Sequence, residues 1–362
     1  MTGHPARWWH ALDDGRLQCD LCPRECRLRD GQRGFCFVRQ REGDGMVLDT
    51  YGRSSGFCVD PVEKKPLWHF LPGSSALSFG TAGCNLGCKF CQNWDISKSR
   101  EIDTLADQAS PEAIADAAVR MGAESVAFTY NDPIIFAEYA IDVAHACRER
   151  GVRTIAVSAG YISEAARAEF FAPMDAANID LKAFTPEFYR QVTGAQLAVV
   201  QDTLRYLVRE TSVWTEITTL LIPTKNDSDE ELRAMAEWIV EELGVDVPHH
   251  FSAFHPDFKM RDLPRTPPET LARARRIAME AGERYVYTGN VHDREGGTTR
   301  CPGCGAALIV RDWHRIVEWR MAPGGRCSAC GRAIPGVWTD DWRPGGFDGR
   351  RLPVRIASRR PA

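Results

Sequence analysis

Gly80-Thr81-Ala82-Gly83-Cys84-Asn85-Leu86-Gly87-Cys88-Lys89-Phe90-Cys91-Gln92-Asn93-Trp94 places three cysteines in a C-x3-C-x2-C spacing on one short loop. Soft thiolates select zinc or iron–sulfur clusters. A structural zinc site takes four ligands, and a 4Fe–4S cluster is held by four thiolates. No fourth cysteine lies nearby in the sequence, so a cluster held here would keep one iron open to another ligand. Gly83 and Gly87 allow the backbone to turn closely, and Phe90 is placed to shield the centre from water. The plain reading is three packed cysteines, but their grouping on one loop points to a metal.

Outward from this loop, strands and helices alternate. Residues 76–79 read as a strand that ends at the loop, followed by strands at 125–129, 152–157, 177–181, 215–222 and 250–254, and a late strand at 285–288. Ser110-Pro111 is a helix start, with a capping hydroxyl and proline at the first helical position. Further helices are expected over 133–150, 229–243 and 268–281, the first two stopped by Gly151 and Gly244. This alternation predicts an α/β fold with βα units and a parallel sheet, which right-handed crossovers can curl toward a barrel. Ligands then gather at the carboxyl ends of the strands. The segments there are Phe128-Thr129-Tyr130-Asn131-Asp132-Pro133, Val157-Ser158-Ala159-Gly160-Tyr161, Asn178-Ile179-Asp180-Leu181-Lys182 and Phe254-His255-Pro256-Asp257. Alternation along a strand points Asp180 and Lys182 the same way. A turn at Asn131-Asp132-Pro133, a strand-end ion pair of Asp180 with Lys182 and a structural His255 are the plain alternatives.

The C-x3-C-x2-C spacing with an aromatic at Phe90 resembles the signature of the radical S-adenosylmethionine (SAM) superfamily. Cys91-Gln92-Asn93-Trp94 resembles its pyruvate formate-lyase activating enzyme branch, and within that branch the AmmeMemoRadiSam proteins. Asp180-x-Lys182 followed by Val192-Thr193-Gly194 is similar to the same branch. So are Glu216 and Ile222-Pro223-Thr224-Lys225-Asn226-Asp227. The resemblance covers about residues 71–290 and implies a partial (β/α)6 TIM-like barrel. It implies a 4Fe–4S cluster on Cys84, Cys88 and Cys91 whose open iron takes the amino and carboxylate groups of SAM. It also implies SAM contacts at Asn131, Asp132, Ser158, Asp180, Lys182 and His255. Asp132 stands where the family has Glu, and Ala159 where it more often has Asn. The implied reaction is reductive cleavage of SAM to a 5′-deoxyadenosyl radical that abstracts hydrogen from an unknown substrate. An electron donor such as flavodoxin or ferredoxin would drive it. No catalytic residue acting on the substrate is assigned.

Flanking the core, Cys19, Cys22, Cys26 and Cys36 form C-x2-C-x3-C-x9-C in a segment (1–70) with few apolar periodicities. A metal would supply its missing folding energy; four thiolates suit a closed zinc site or a second iron–sulfur cluster, with zinc slightly preferred. Cys301, Cys304, Cys327 and Cys330 are paired C-x2-C knuckles around two short strands, a zinc-ribbon pattern over 298–340. Residues 341–362 form a basic tail with Arg350, Arg351, Arg355, Arg359 and Arg360. Cys147 reads as core; Cys58 reads as a packed thiol.

Thirteen cysteines with this grouping suggest metals rather than disulfides. The net charge of −4 over 362 residues gives no overall drive toward nucleic acid or anionic membranes. No run has the length of a transmembrane helix, and Met1–Pro5 begins no apolar signal segment, so the cytoplasm is the expected compartment. Three functional readings follow. The radical acts on a small molecule or nucleoside-like metabolite in one reading, and on a protein partner, as in a glycyl-radical activase, in another. The third is a metal-scaffolded nucleic-acid or protein binding module, which leaves the strand-end motifs unexplained.

Overall fold

The computed structural model describes residues 3–98, 107–339 and 351–356. Its centre is a nine-stranded sheet. We number its strands β1 (Phe57–Pro61), β2 (Ser75–Phe79), β3 (Ser125–Phe128), β4 (Arg153–Ser158), β5 (Ala176–Asp180), β6 (Trp214–Leu221), β7 (His249–Ala253), β8 (Val286–Gly289) and β9 (Leu352–Val354). The spatial order is β8-β7-β6-β5-β4-β3-β2-β1-β9. Strands β2 to β8 run parallel, each beside the next in sequence, and β1 and β9 add an antiparallel edge. The seven parallel strands match the expected ones within a residue or two. Strand β1 was not expected, because Phe57-Cys58-Val59-Asp60-Pro61 carries an acid and a proline. It pairs with β2 from Phe57↔Phe79 to Pro61↔Ser75.

Helices α1 (Pro111–Met121), α2 (Ala137–Arg148), α3 (Glu164–Phe171), α4 (Leu197–Glu210), α5 (Asp229–Glu242) and α6 (Pro268–Ala281) connect these strands. The start of α1 follows from its cap: Ser110 Oγ accepts from Ala113 N at 3.2 Å, and Pro111 has no amide to leave unpaired. Helices α3 and α4 were missed. Ser163 caps α3 without a side-chain bond and Gln196 does the same for α4, whereas Ser110 and Ser228 cap α1 and α5 with one. Strand residues such as Ser125–Phe128 are buried throughout, as parallel strands covered on both faces must be.

The N-terminal residues form two small antiparallel sheets, His4–Pro5 with Gly45–Leu48 and Arg39–Glu42, and Trp9–Ala11 with Leu17–Cys19 and Arg27–Leu28. They are tied to α2 by a fully buried ion pair. Arg39 donates to Glu138 through two bonds of 2.8 Å, and Glu138 also accepts from Arg7 N at 2.7 Å. At the other end of the chain, Ala307–Asp312 and Arg315–Trp319 pair as a hairpin. This C-terminal unit packs Leu308, Ile309 and Ile334 on Trp68, Tyr285 and Tyr287. Buried Arg311 donates to Trp68 O and Thr299 Oγ1. These contacts fall where β6, β7 and β8 begin, so the unit covers the amino ends of the strands and leaves the carboxyl ends free. Of the tail arginines, Arg351 and Arg355 are described, and Arg350, Arg359 and Arg360 lie outside the described residues.

Candidate active site

The cysteine loop leaves β2 and is pinned from four sides. Asn131, just past β3, accepts from Thr81 N at 3.1 Å and donates to Gly83 O at 2.9 Å. Gly87 N donates to Thr193 O at 2.7 Å, and Lys89 N to Val192 O at 3.0 Å. The Val192-Thr193-Gly194 motif therefore works through its backbone. Asn85 donates to Tyr161 O at 2.8 Å, and Lys98 Nζ to Leu86 O at 2.6 Å. Gly83 has φ +83°, and a Cβ there would lie 2.1 Å from Cys36 O, so only glycine fits against the N-terminal segment.

Cys84, Cys88 and Cys91 line a cavity of about 260 Å³. The rest of its wall comes from the carboxyl ends of the parallel strands: Asn131 and Asp132 after β3, Ser158 at the end of β4, Asp180 and Lys182 at the end of β5, Thr218 and Leu220 on β6, Ser252 on β7 and Asn290 after β8. The structure thus brings together five of the six residues read as SAM contacts. The sixth, His255, is exposed at the rim, where its Nδ1 accepts from Gln92 Nε2 at 3.0 Å. Gln92 itself lines the cavity. Thr218, Leu220 and Ser252 were not foreseen. Their signal is the two-residue period, which puts Thr218 and Leu220 on one face of β6 beside Asp180, the register partner of Thr218. Gly160 does not open space for a ligand, as its missing Cβ would meet Ile179 and Thr203 at 3.0 and 3.4 Å.

Two polar arrangements inside the cavity differ in how far they are committed. Asp132 accepts from Ile134 N, Ser158 Oγ and Ala159 N at 2.9–3.1 Å. A carboxylate offers about four lone-pair positions, so one is left. Burial raises its pKa against those three donors. Lys182 Nζ lies 2.8 Å from Asp180 Oδ2 and over the Phe90 ring. Burial works to lower its pKa, but the Asp180 carboxylate beside it outweighs burial and holds the amine protonated. Thr218 Oγ1 is buried with no partner among the described residues, an unmet polar atom in the wall of the cavity.

The donor set fits an iron–sulfur cluster. Burial pushes the Cys84 thiol up to about 12 and raises Cys88 as well. These sulfurs become thiolates only against a bound cation. Leu86 N donates to Cys84 Sγ at 3.4 Å, the kind of backbone bond that stabilises such a thiolate. Glu216 of the expected motif is elsewhere. It sits at the start of β6, accepts from Trp68 N, His69 N and His250 Nε2, and anchors the loop before β2.

Three cysteines on a pinned loop therefore face a polar cavity at the carboxyl ends of a parallel sheet. The radical SAM superfamily model matches residues 79–239. An uncharacterized protein of Methanocaldococcus jannaschii is 38% identical over 331 residues, covering 91% of this chain and 98% of its own. The pyruvate formate-lyase-activating enzyme of Clostridium pasteurianum is 24% identical over 200 residues, covering 50% of this chain and 80% of its own. Among solved structures, a radical SAM methyltransferase from Sphaerobacter thermophilus covers 80% of this chain and 78% of its own at 15% identity, with a TM-score of 0.49. The chain belongs to the radical SAM superfamily, in the branch that resembles the pyruvate formate-lyase activating enzymes. It is an enzyme of the oxidoreductase or activase kind, and its family implies SAM and a 4Fe–4S cluster. No helix among the described residues is long and apolar enough to cross a membrane.

Proposed function

We propose that Cys84, Cys88 and Cys91 hold the 4Fe–4S cluster and that the adjoining cavity holds SAM. The bound cluster supplies the one electron that cleaves SAM to methionine and a 5′-deoxyadenosyl radical, which abstracts hydrogen from the substrate. The observation that carries this reading is the shared cavity: the three cysteines and five strand-end polar residues, far apart in sequence, line one space. The protein's part is to bind, orient and exclude water. Lys182, held cationic by Asp180, meets the SAM carboxylate. The last lone pair of Asp132 would accept from its amino N–H, with Ser158 held in place by the same carboxylate. Thr218 Oγ1 gains its missing partner when SAM binds, and His255 with Gln92 borders the ribose. Asn131 acts on the loop rather than on SAM.

In this reading the sheet curves as a partial barrel over residues 71–290, between a Cys-rich segment (1–70) and a zinc ribbon (298–340), with the tail at 341–362. The run Thr129-Tyr130-Asn131-Asp132-Pro133 supports placement with the AmmeMemoRadiSam proteins. In the C-terminal unit Cys301 and Cys330 are 3.6 Å apart, Cys304 and Cys327 3.7 Å, and all four sulfurs lie within 4.8 Å of one another. Tetrahedral zinc with Zn–S bonds of about 2.3 Å asks for sulfurs about 3.8 Å apart.

The test is anaerobic reconstitution with iron and sulfide, then dithionite and SAM. The wild type should form 5′-deoxyadenosine, and Cys88→Ala should form none; turnover by Cys88→Ala overturns the assignment. A protein substrate is the second reading, supported by the likeness to activating enzymes. Deuterium transfer from a labelled partner polypeptide into 5′-deoxyadenosine separates it from a small-molecule substrate.

A further inference from the structure

We infer that Cys19, Cys22, Cys26 and Cys36 hold a second 4Fe–4S cluster rather than zinc. The four cysteines do not meet at a point. They surround an enclosed cavity that all four line, closed by buried Leu21 and Ile135. Zinc draws its four sulfurs to about 3.8 Å of one another, and the C-terminal quartet has that compact form. Among the described residues, that quartet is the only group of three or more cysteine, histidine or acidic ligand atoms gathered within 4.8 Å. No three of the N-terminal sulfurs meet that limit, although they face one space. A cubane asks for this wider arrangement, because each thiolate binds a different iron and the inorganic core lies between them. Cys84, Cys88 and Cys91 do not meet that limit either.

The wall of the cavity also carries two arginines, Arg24 and Arg39. Arg39 is 1% exposed and borders the cavity, and its Nε has no partner among the described residues although its other nitrogens are committed to Glu138 and Arg7 O. Arg24 also lines the cavity, with its guanidinium 4.0 Å over the Phe35 ring and its Nη2 buried beside Gly194 without an acceptor among the described residues. The buried Arg39 Nε–H lacks an acceptor, and cluster sulfides and thiolates are acceptors whose hydrogen bonds tune the cluster. Phe35 N already donates to Cys26 Sγ at 3.3 Å. The cavity also adjoins the SAM site. Asn85, next to Cys84, lines it and accepts from Arg24 Nε through its carbonyl at 2.9 Å, while Cys36 O rests against Gly83.

The test counts metals on the full chain after anaerobic reconstitution. The wild type should carry about eight irons and eight sulfides. Cys84→Ala/Cys88→Ala/Cys91→Ala should keep about four of each and an S = 1/2 EPR signal after dithionite, and adding Cys22→Ser/Cys26→Ser should remove both. A triple variant with no iron and about two zinc ions per chain would overturn the inference. If the triple variant does not fold, the wild-type count decides: about four irons with two zincs refutes, about eight supports. A wild type that loses no iron on the triple substitution instead refutes the placement of the first cluster and leaves the second standing.

Discussion

Asn131 offers the sharpest probe of how the site is assembled, because it touches the cysteine loop and is not itself read as a ligand of the metal. Asn131→Ala removes one acceptor and one donor from a place that water does not reach: Asn131 is 5% exposed and Thr81 is fully buried. Thr81 N–H and Gly83 C=O lose their side-chain partner, as do Thr81 Oγ1 and Ala82 C=O at longer range. An orphaned buried group costs about 1–3 kcal/mol. The carbonyl keeps a second lone pair and suffers less, so the sum is about 2–4 kcal/mol. Placed on the loop, that is about 30- to 1,000-fold in the equilibrium between its ordered and disordered forms. The expected result is faster loss of iron to a chelator by about tenfold or more, with a matching fall in denaturant stability. Asn178→Ala is the control. It deletes a comparably buried bond, to Pro66 O at 2.8 Å, on a part of β5 away from the loop, and should lower stability while leaving iron retention unchanged. Equal iron retention in Asn131→Ala and wild type, measured on folded protein, would refute the claim that Asn131 holds the loop.

Further substitutions test other parts of the structure. Lys182→Met should weaken SAM binding about 10- to 150-fold, the worth of a hydrogen bond to a charged group, read by equilibrium dialysis of the reconstituted enzyme; unchanged affinity would remove Lys182 from the SAM site. Glu138→Ala leaves the Arg39 guanidinium buried and unpaired, and should cost about 3–5 kcal/mol in denaturant unfolding; a loss under about 1 kcal/mol would mean that the pair does not anchor the N-terminal sheets. His69 donates through Nδ1 to Pro335 O and accepts from Tyr287 O–H, and burial lowers its pKa to about 4. The folded form binds this proton less tightly than the unfolded one. Its contribution is therefore complete above about pH 6.5 and is lost as pH falls toward 4, by about 1.4 kcal/mol per unit. His69→Phe should flatten that slope in the pH dependence of unfolding, and an unchanged slope would assign it to other groups. Cys327→Ser should lower bound zinc by about one ion per chain and raise the fluorescence accessibility of Trp68; a protein that keeps its zinc would place the metal elsewhere.

Much of the fold was legible because the parallel strands carry the period and the caps that the physics requires. Ser110-Pro111 and Ser228-Asp229 announced two helices to the residue, while α3 and α4 were missed. The antiparallel strand β1 was hidden for a different reason. Asp60 within it is not a surface charge but the buried partner of Lys65 at 2.6 Å and of Tyr130 O–H at 2.8 Å, a pairing that only the fold brings about. The site divided along the same line. Residues next to a motif, such as Asp180 and Lys182, could be found by likeness. Thr218 and Ser252 are ordinary strand residues until register places Thr218 beside Asp180 and Ser252 beside Leu220, both against the cavity.

The cysteines make the limit of sequence reading concrete. Spacing alone treats C-x2-C-x3-C-x9-C and the paired C-x2-C knuckles as equivalent four-thiolate sets. What separates them is the space between the sulfurs, which depends on packing from elsewhere: Ile135 and Arg39 hold one set around a cavity, and the two knuckles close the other onto a point. Ile135 could not be associated with the cysteines before the fold was known, since its segment must first dock on the N-terminal sheets, where Glu138 pairs with Arg39. The identity of a metal centre is therefore a tertiary property here, set by the ion pair that docks the segment as much as by the ligands themselves.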